Sequence, residues 1–196
     1  MKKNILAAIT VLITICTINA QETKEATAFE NSYKAFIASK SYLDFEKSVE
    51  EFRIAAKHNS YETSLAYESE FLKNLEEKIT TTDFKNYEEA KKAYDDVKKK
   101  YSIMKSSNEA FFTLLKESKQ WSLANLMAVK LQEPQDEKCK VCWKSTNGSL
   151  KSIAFKYEST LRYKDNSAVT SYMTYKNTIP LLERSYKYCM EGCENQ

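Results

Sequence analysis

Residues 21–133 contain neither glycine nor proline across 113 positions. Along that stretch apolar side chains return at steps of three and four, which sets them on one stripe of a helix. Ala26, Phe29, Tyr33, Phe36 and Ile37 mark a first helix, interrupted at Ser39 and Ser41. A second carries Phe45, Val49, Phe52 and Ala56; a third, capped by Ser60, carries Tyr61, Leu65, Leu72, Leu75 and Ile79. Thr80-Thr81-Thr82-Asp83 is β-branched and rich in capping oxygens, so it reads as a boundary. The fourth helix, over residues 84–105, is the most regular, with Tyr87, Ala90, Tyr94, Val97, Tyr101 and Met104 forming a heptad-like seam. Ser106-Ser107-Asn108-Glu109 offers a capping box that starts a fifth helix. That helix is expected to end in residues 121–129, apolar nearly all round and so the expected structural centre.

Tyr87-Glu88-Glu89-Ala90 and Trp121-Ser122-Leu123-Ala124 lie 34 residues apart, the tetratricopeptide period. The similar Phe45-Glu46-Lys47-Ser48 sits 42 residues before the first of these, and Phe112 stands where such a repeat needs a small side chain. Stacked helical hairpins follow from the pattern; membership of that family does not.

Pro134 opens a second segment, 134–196. Proline followed by Gln135-Asp136-Glu137 is a good helix start, Asn147-Gly148 would close that helix, and Ser149 would cap the next. Leu150, Ile153, Ala154, Tyr157 and Leu161 fit a helix. Ile153, Phe155, Tyr157, Leu161 and Tyr163 also share a parity, as do Val169, Ser171, Met173 and Tyr175. With Lys164–Asn166 as a turn, 150–176 could form a small β-hairpin, but the capping signals favour helix. Pro180 would start a last helix, ended by Gly192 in a left-handed cap.

Residues 1–20 read as a signal peptide: Lys2 and Lys3, fourteen uncharged residues from Ile5 to Ile18, then Ala20 before Gln21. As a helix that run rises about 21 Å, short of the roughly 30 Å hydrocarbon core, so no membrane span is expected. Ile13-Thr14-Ile15-Cys16 resembles a lipoprotein box, but Ile15 is larger than the residue such a box places before its cysteine. The expectation is export to the periplasm or outside the cell, with lipidation at Cys16 as the lesser alternative. Without Lys2 and Lys3 the net charge of +3 falls to 28 basic against 27 acidic residues. Bulk charge then gives nucleic acid no hold.

Four cysteines remain after the leader: Cys139 and Cys142, Cys189 and Cys193. On helices each pair shares one face, and export favours disulfides. Three connectivities exist. If the two helices return antiparallel, Cys139 meets Cys193 and Cys142 meets Cys189, which is the favoured pattern. Closing the loop of about 48 residues between Cys142 and Cys189 is worth roughly 4 kcal/mol in the chain-entropy model. Two rival readings use the same residues: a dithiol catalyst at Cys139-Lys-Val-Cys142, or four thiolates around zinc. Trp143 stands where a haem motif needs histidine.

Little else points to catalysis. Glu50-Glu51, Glu76-Glu77, Glu88-Glu89 and Asp95-Asp96 sit among lysines and read as solvated faces, and the one histidine, His58, fits a helix C-terminus. The thirteen tyrosines are more suggestive, because Tyr157, Tyr163, Tyr172 and Tyr175 crowd near the cysteines and amphipathic rings can line a ligand site. The same chain holds 27 lysines to three arginines, a bias that would also supply tyrosine. The expected protein is therefore all-α, an array of antiparallel helical hairpins (21–133) carrying a disulfide-stapled C-terminal segment. It needs no metal or cofactor, and works without catalysis by binding another protein or an envelope component. A thiol-disulfide oxidoreductase and a small-ligand carrier using the tyrosines are the alternatives.

Overall fold

A computed structural model of the chain describes residues 25–57, 68–118, 123–127, 131–163 and 167–194. The leader with Cys16, His58, Ser60, Tyr61, Leu65, the ends of the 121–129 stretch and the Lys164–Asn166 turn lie outside those residues. The helices are α1 (25–38), α2 (Lys40–Ala55), α3 (Glu68–Glu77), a 3-10 turn (Ile79–Thr81), α4 (Tyr87–Ser107), α5 (Glu109–Glu117), α6 (Leu123–Met127), α7 (Lys140–Tyr163) and α8 (Ala168–Glu194). Among the described residues there is no strand.

The predicted stripes become the core. Ser39 separates α1 from α2 by accepting the Tyr42 N–H at 3.3 Å, an N-cap bond. Along α2, Phe45, Val49, Phe52 and Ala56 are buried; along α4, so are Ala90, Tyr94, Val97, Tyr101 and Met104. Phe45 meets Tyr101 and Phe52 meets Tyr94, so the two helices run antiparallel. Phe36 of α1 stacks on Phe111 of α5 with centroids 4.3 Å apart. In a chain so poor in glycine, a lysine takes the left-handed position after α2: Lys57 has φ 57° and pairs with Asp83 at 2.8 Å.

The break between α4 and α5 falls where expected but by another device. The side-chain amide of Asn108 donates to the Met104 carbonyl at 2.7 Å and to Ser41 Oγ at 3.0 Å, so its side chain caps no N–H of α5. Nor does α5 continue to residue 129. It ends at Glu117, and Leu123 and Ala124 are buried in the separate, short α6.

The C-terminal segment departs furthest from expectation. Residues 131–139 are a strap, so Pro134 starts no helix, and α7 runs through Gly148 without a stop. No glycine has positive φ, so neither Gly148 nor Gly192 acts as a left-handed cap. Phe155 and Tyr163 are exposed while Ala154, Tyr157, Glu158 and Leu161 are buried, the helical period rather than the strand parity. Pro180 lies inside α8, not at its start. Proline has no N–H for the Lys176 carbonyl four residues back. Arg53 of α2 supplies a donor instead, with Nη2 3.4 Å from that carbonyl and Nε 2.5 Å from Asn177 Oδ1. Thr174 and Thr178 donate to the carbonyls of Thr170 and Thr174 at 2.9 and 2.8 Å, a habit that bends helices without ending them.

One buried ion pair joins three elements. Glu158 and Arg162, one turn apart on α7, have side chains only 4% and 8% exposed. Glu158 accepts from Arg162 Nη2 at 2.6 Å and from the Ala124 N–H of α6 at 2.8 Å. Arg162 Nη1 donates to the Leu115 carbonyl near the end of α5. Arg162→Met should destabilise the protein by about 3–5 kcal/mol, because the glutamate stays buried without its cation. Glu158→Leu/Arg162→Met should recover part of that loss. Denaturant unfolding of both variants checks this, and a neutral single variant would remove the pair from the structural account.

Candidate functional site

The α7–α8 hairpin is antiparallel: Cys139 bonds Cys193 and Cys142 bonds Cys189, with Cα atoms 5.7 and 5.8 Å apart. This is the nested pattern, and it leaves Cys139 and Cys142 joined to the facing helix, not to each other. None of the four sulfurs remains a thiolate for zinc. The near half of the hairpin packs on α2, α4 and α6 through Ala154, Tyr157, Leu161, Tyr172, Met173 and Tyr175.

The far half is different. From Pro180 to Cys193, fourteen residues or about 21 Å of helix, α8 buries no side chain fully, and Leu182, Tyr186, Met190 and Cys193 are half-buried along one stripe. On the facing part of α7 only Cys142, Thr146 and Leu150 are buried, with Cys139 just before its start. Apolar packing along this arm is thin, and two covalent cross-links brace it. The strap adds two hydrogen bonds, Trp143 Nε1 to the Leu131 carbonyl and Tyr186 OH to the Gln132 carbonyl, both 3.0 Å. Val141, Leu181 and Tyr188 are left 71%, 52% and 65% exposed along the arm.

The tyrosines expected to line a ligand site do not share a surface. Tyr157, Tyr172 and Tyr175 are buried and stack on one another with centroids 5.0–6.1 Å apart. Tyr163 stands apart in solvent. Burial raises the phenols of Tyr157 and Tyr172 well above their ordinary range and pushes Tyr175 up to about 12. Where this cluster meets α2, Tyr172 donates to Glu46, Lys176 pairs with Glu46 at 2.9 Å, and the Tyr42 and Tyr172 hydroxyls lie 3.1 Å apart. Burial disfavours the Glu46 charge, but the hydrogen bonds from Tyr172 and Lys176 outweigh it and hold the carboxyl below its ordinary 4.5. The network fixes α8 on α2 in the same chain direction, since Tyr42 meets Tyr172 and Glu46 meets Lys176.

A recess lies elsewhere. A cleft of about 770 Å³ opens between α3, α4, α5 and the start of α8. Tyr101, Phe112 and Val169 form its apolar floor, and Lys98, Lys105 and Lys116 stand around it with Glu68 and Glu109.

Sequence reasoning passed over Arg53, Glu158, Arg162 and this cleft. A signal existed for the arginines: only three occur, and the two whose side chains are 8% exposed do what lysine does badly, donating in several directions from one planar head. The cleft residues left no trace because they come from four elements distant in sequence. The acidic pairs lie on exposed or half-buried positions in lysine-rich company, as Lys91–Asp95 and Lys100–Asp96 illustrate. Among the described residues, no group of three or more potential metal ligands is found and no helix is long and apolar enough to cross a membrane. No protein-family model, curated protein or solved structure matches the chain.

Two outcomes follow from the geometry. A depressed folded-state carboxyl adds stability that is complete above its unfolded value and disappears as pH falls through its lower folded value. Wild-type stability should therefore fall more steeply below pH 4.5 than that of Glu46→Gln, as read from denaturant midpoints across pH. Reduction of the native protein should strip hydrogen-exchange protection from α8 beyond Pro180 and from α7 before Leu150, while α2 and α4 keep theirs. Uniform loss would mean that the arm is held by the global core.

Proposed function

We propose that this is an exported, non-enzymatic binding protein that presents the disulfide-braced end of the α7–α8 hairpin to another protein. One observation carries the reading: fourteen residues of α8 bury no side chain fully, yet two cross-links hold them in a set shape. Helix that contributes no core burial is costly to keep ordered by chain entropy alone. A surface ordered in advance loses less freedom on association. Leu181, Tyr188 and Val141 supply apolar and aromatic groups of the kind that anchor interfaces.

Export is supported by the leader pattern and by four cysteines consumed as disulfides, a state that reducing compartments disfavour. The thiol-disulfide alternative loses support from the pairing, since Cys139-Lys-Val-Cys142 forms no local dithiol couple and both sulfurs are buried. The tyrosine-lined carrier loses support because three of its four rings fill the core.

The test is lysine cross-linking on intact cells of the native host with a membrane-impermeant reagent. Defined adducts of the protein with a partner should form, and Leu181→Glu/Tyr188→Glu should abolish them without changing the thermal midpoint by more than a few degrees. Labelling only after lysis would overturn export. Adducts indifferent to the arm substitutions would overturn the arm as the docking element.

A further inference from the structure

The outward side of α7 carries a stripe that the core does not use. Val141, Lys144, Gly148, Lys151 and Phe155 follow one another at steps of three and four, all exposed, and Tyr163 stands about two turns further on. The opposite face holds the buried Cys142, Thr146, Leu150, Ala154 and Tyr157, so the stripe points away from the molecule. Phe155 and Tyr163 are 63% and 74% exposed, which makes both rings protrude. Between them and Val141, a Cβ added at Gly148 would meet nothing within 4 Å beyond its own helix backbone. Charge sets this face apart. On α2 and α4 exposed lysines stand one turn from acids, as in Lys40–Asp44, Lys91–Asp95 and Lys100–Asp96. Over its 24 residues α7 has a single acid, Glu158, and that one is buried against Arg162. Lys140, at the start of the helix, is taken by Glu133 and Glu137. α8, with Glu183 and Glu191, is joined to α7 on the opposite face, through Cys142. Lys144 and Lys151 therefore stand on a face to which α7 brings no acid.

We propose that this face of α7 lies on the surface of an anionic phospholipid bilayer, with Lys144 and Lys151 over the phosphates and Phe155 and Tyr163 set into the headgroup layer. Charge complementarity carries the choice of occupant. A basic face with no acid of its own is drawn to a negative lipid surface, at a range of about a Debye length. Shape agrees. The rings stand up from a ridge, and a fluid headgroup layer admits protrusions that a protein partner would have to match with pockets. Aromatic rings favour that layer, Tyr163 with its apolar body and polar tip above all. From Val141 to Tyr163 the stripe advances 22 residues, about 33 Å of helix, so α7 lies along the surface. The attachment is peripheral, since among the described residues no helix is long and apolar enough to cross a membrane. Leu181 and Tyr188, on α8, take no part in it.

Flotation of the protein purified from its native host tests the face, with vesicles of phosphatidylcholine alone or containing phosphatidylglycerol. Binding to the anionic vesicles should be at least about tenfold tighter than to the neutral ones, and should weaken with salt. Lys144→Glu/Lys151→Glu should cut the affinity for anionic vesicles by about tenfold or more. Phe155→Ser/Tyr163→Ser should weaken it by about tenfold through lost apolar contact. Gly148→Leu, which has room for its side chain, should strengthen it. The same charge reversal at Lys40 and Lys91, on the acid-paired faces of α2 and α4, should cost far less. Equal binding to both kinds of vesicle, or flotation indifferent to Lys144 and Lys151, would overturn the proposal. Absence of binding to either vesicle would overturn it too, and host-cell cross-links lost in Lys144→Glu/Lys151→Glu would then assign the face to an acidic protein. Leu181→Glu/Tyr188→Glu should still float on anionic vesicles, so failure here leaves the docking role of the hairpin standing, and the reverse.

Discussion

Burying Glu158 commits the middle of the molecule. An ionised carboxylate at 4% exposure must be fully compensated, and the compensators come from separate elements. Arg162 faces it from one turn along α7, and the Ala124 N–H approaches from α6. Arg162 in turn satisfies Leu115 near the close of α5. The pair thus ties the end of α5 and the N–H of Ala124 in α6 to one point of α7. Such a pair is a weak source of net stability and a strong source of register, because every displaced alternative leaves a charge uncompensated.

The same economy recurs around α8. Pro180 would break an isolated helix, and its freed carbonyl would need a donor. Arg53 reaches that carbonyl from α2 while also bonding Asn177 and Glu50. Together with the Glu46–Lys176 and Tyr42–Tyr172 contacts it fastens α2 along the near half of α8. Beyond Pro180, α8 buries no side chain fully among the described residues, and the disulfides brace it. The molecule therefore has two regimes along one hairpin, packing first and cross-links after. The second regime leaves Leu181 and Tyr188 exposed along the helix.

The cleft and the arm occupy opposite ends of α8, and their chemistries differ: ammonium groups over an apolar floor at one end, exposed Leu181 and Tyr188 at the other. The Glu46, Arg53 and Tyr175 contacts hold that helix between them, with Tyr175 OH bonded to the Met127 carbonyl at 2.8 Å.

The residues alone determined the helical class, the stripes of α1, α2 and α4 and the pairing logic of the cysteines. Each rests on local spacing: steps of three and four define a buried face wherever the chain is helical, and cysteines three and four apart share one side. The helix ends in the C-terminal segment were another matter. Gly148, Pro180 and Gly192 carry the signals that stop helices, but each costs only about 1–3 kcal/mol in a helix interior. Packing of Leu150 and Ala154 carries α7 past Gly148, packing of Tyr172 and Met173 with a donor from Arg53 carries α8 past Pro180, and the Cys189 and Cys193 cross-links flank Gly192. The tyrosines reverse the lesson. Their crowding in sequence suggested a surface, but the helical period sends Tyr157, Tyr172 and Tyr175 inward and Tyr163 outward. Which side of a helix faces a neighbour, which arginine reaches which carbonyl, and which lysines meet around a cleft are decided by elements tens of residues apart, and only the tertiary structure brings those together.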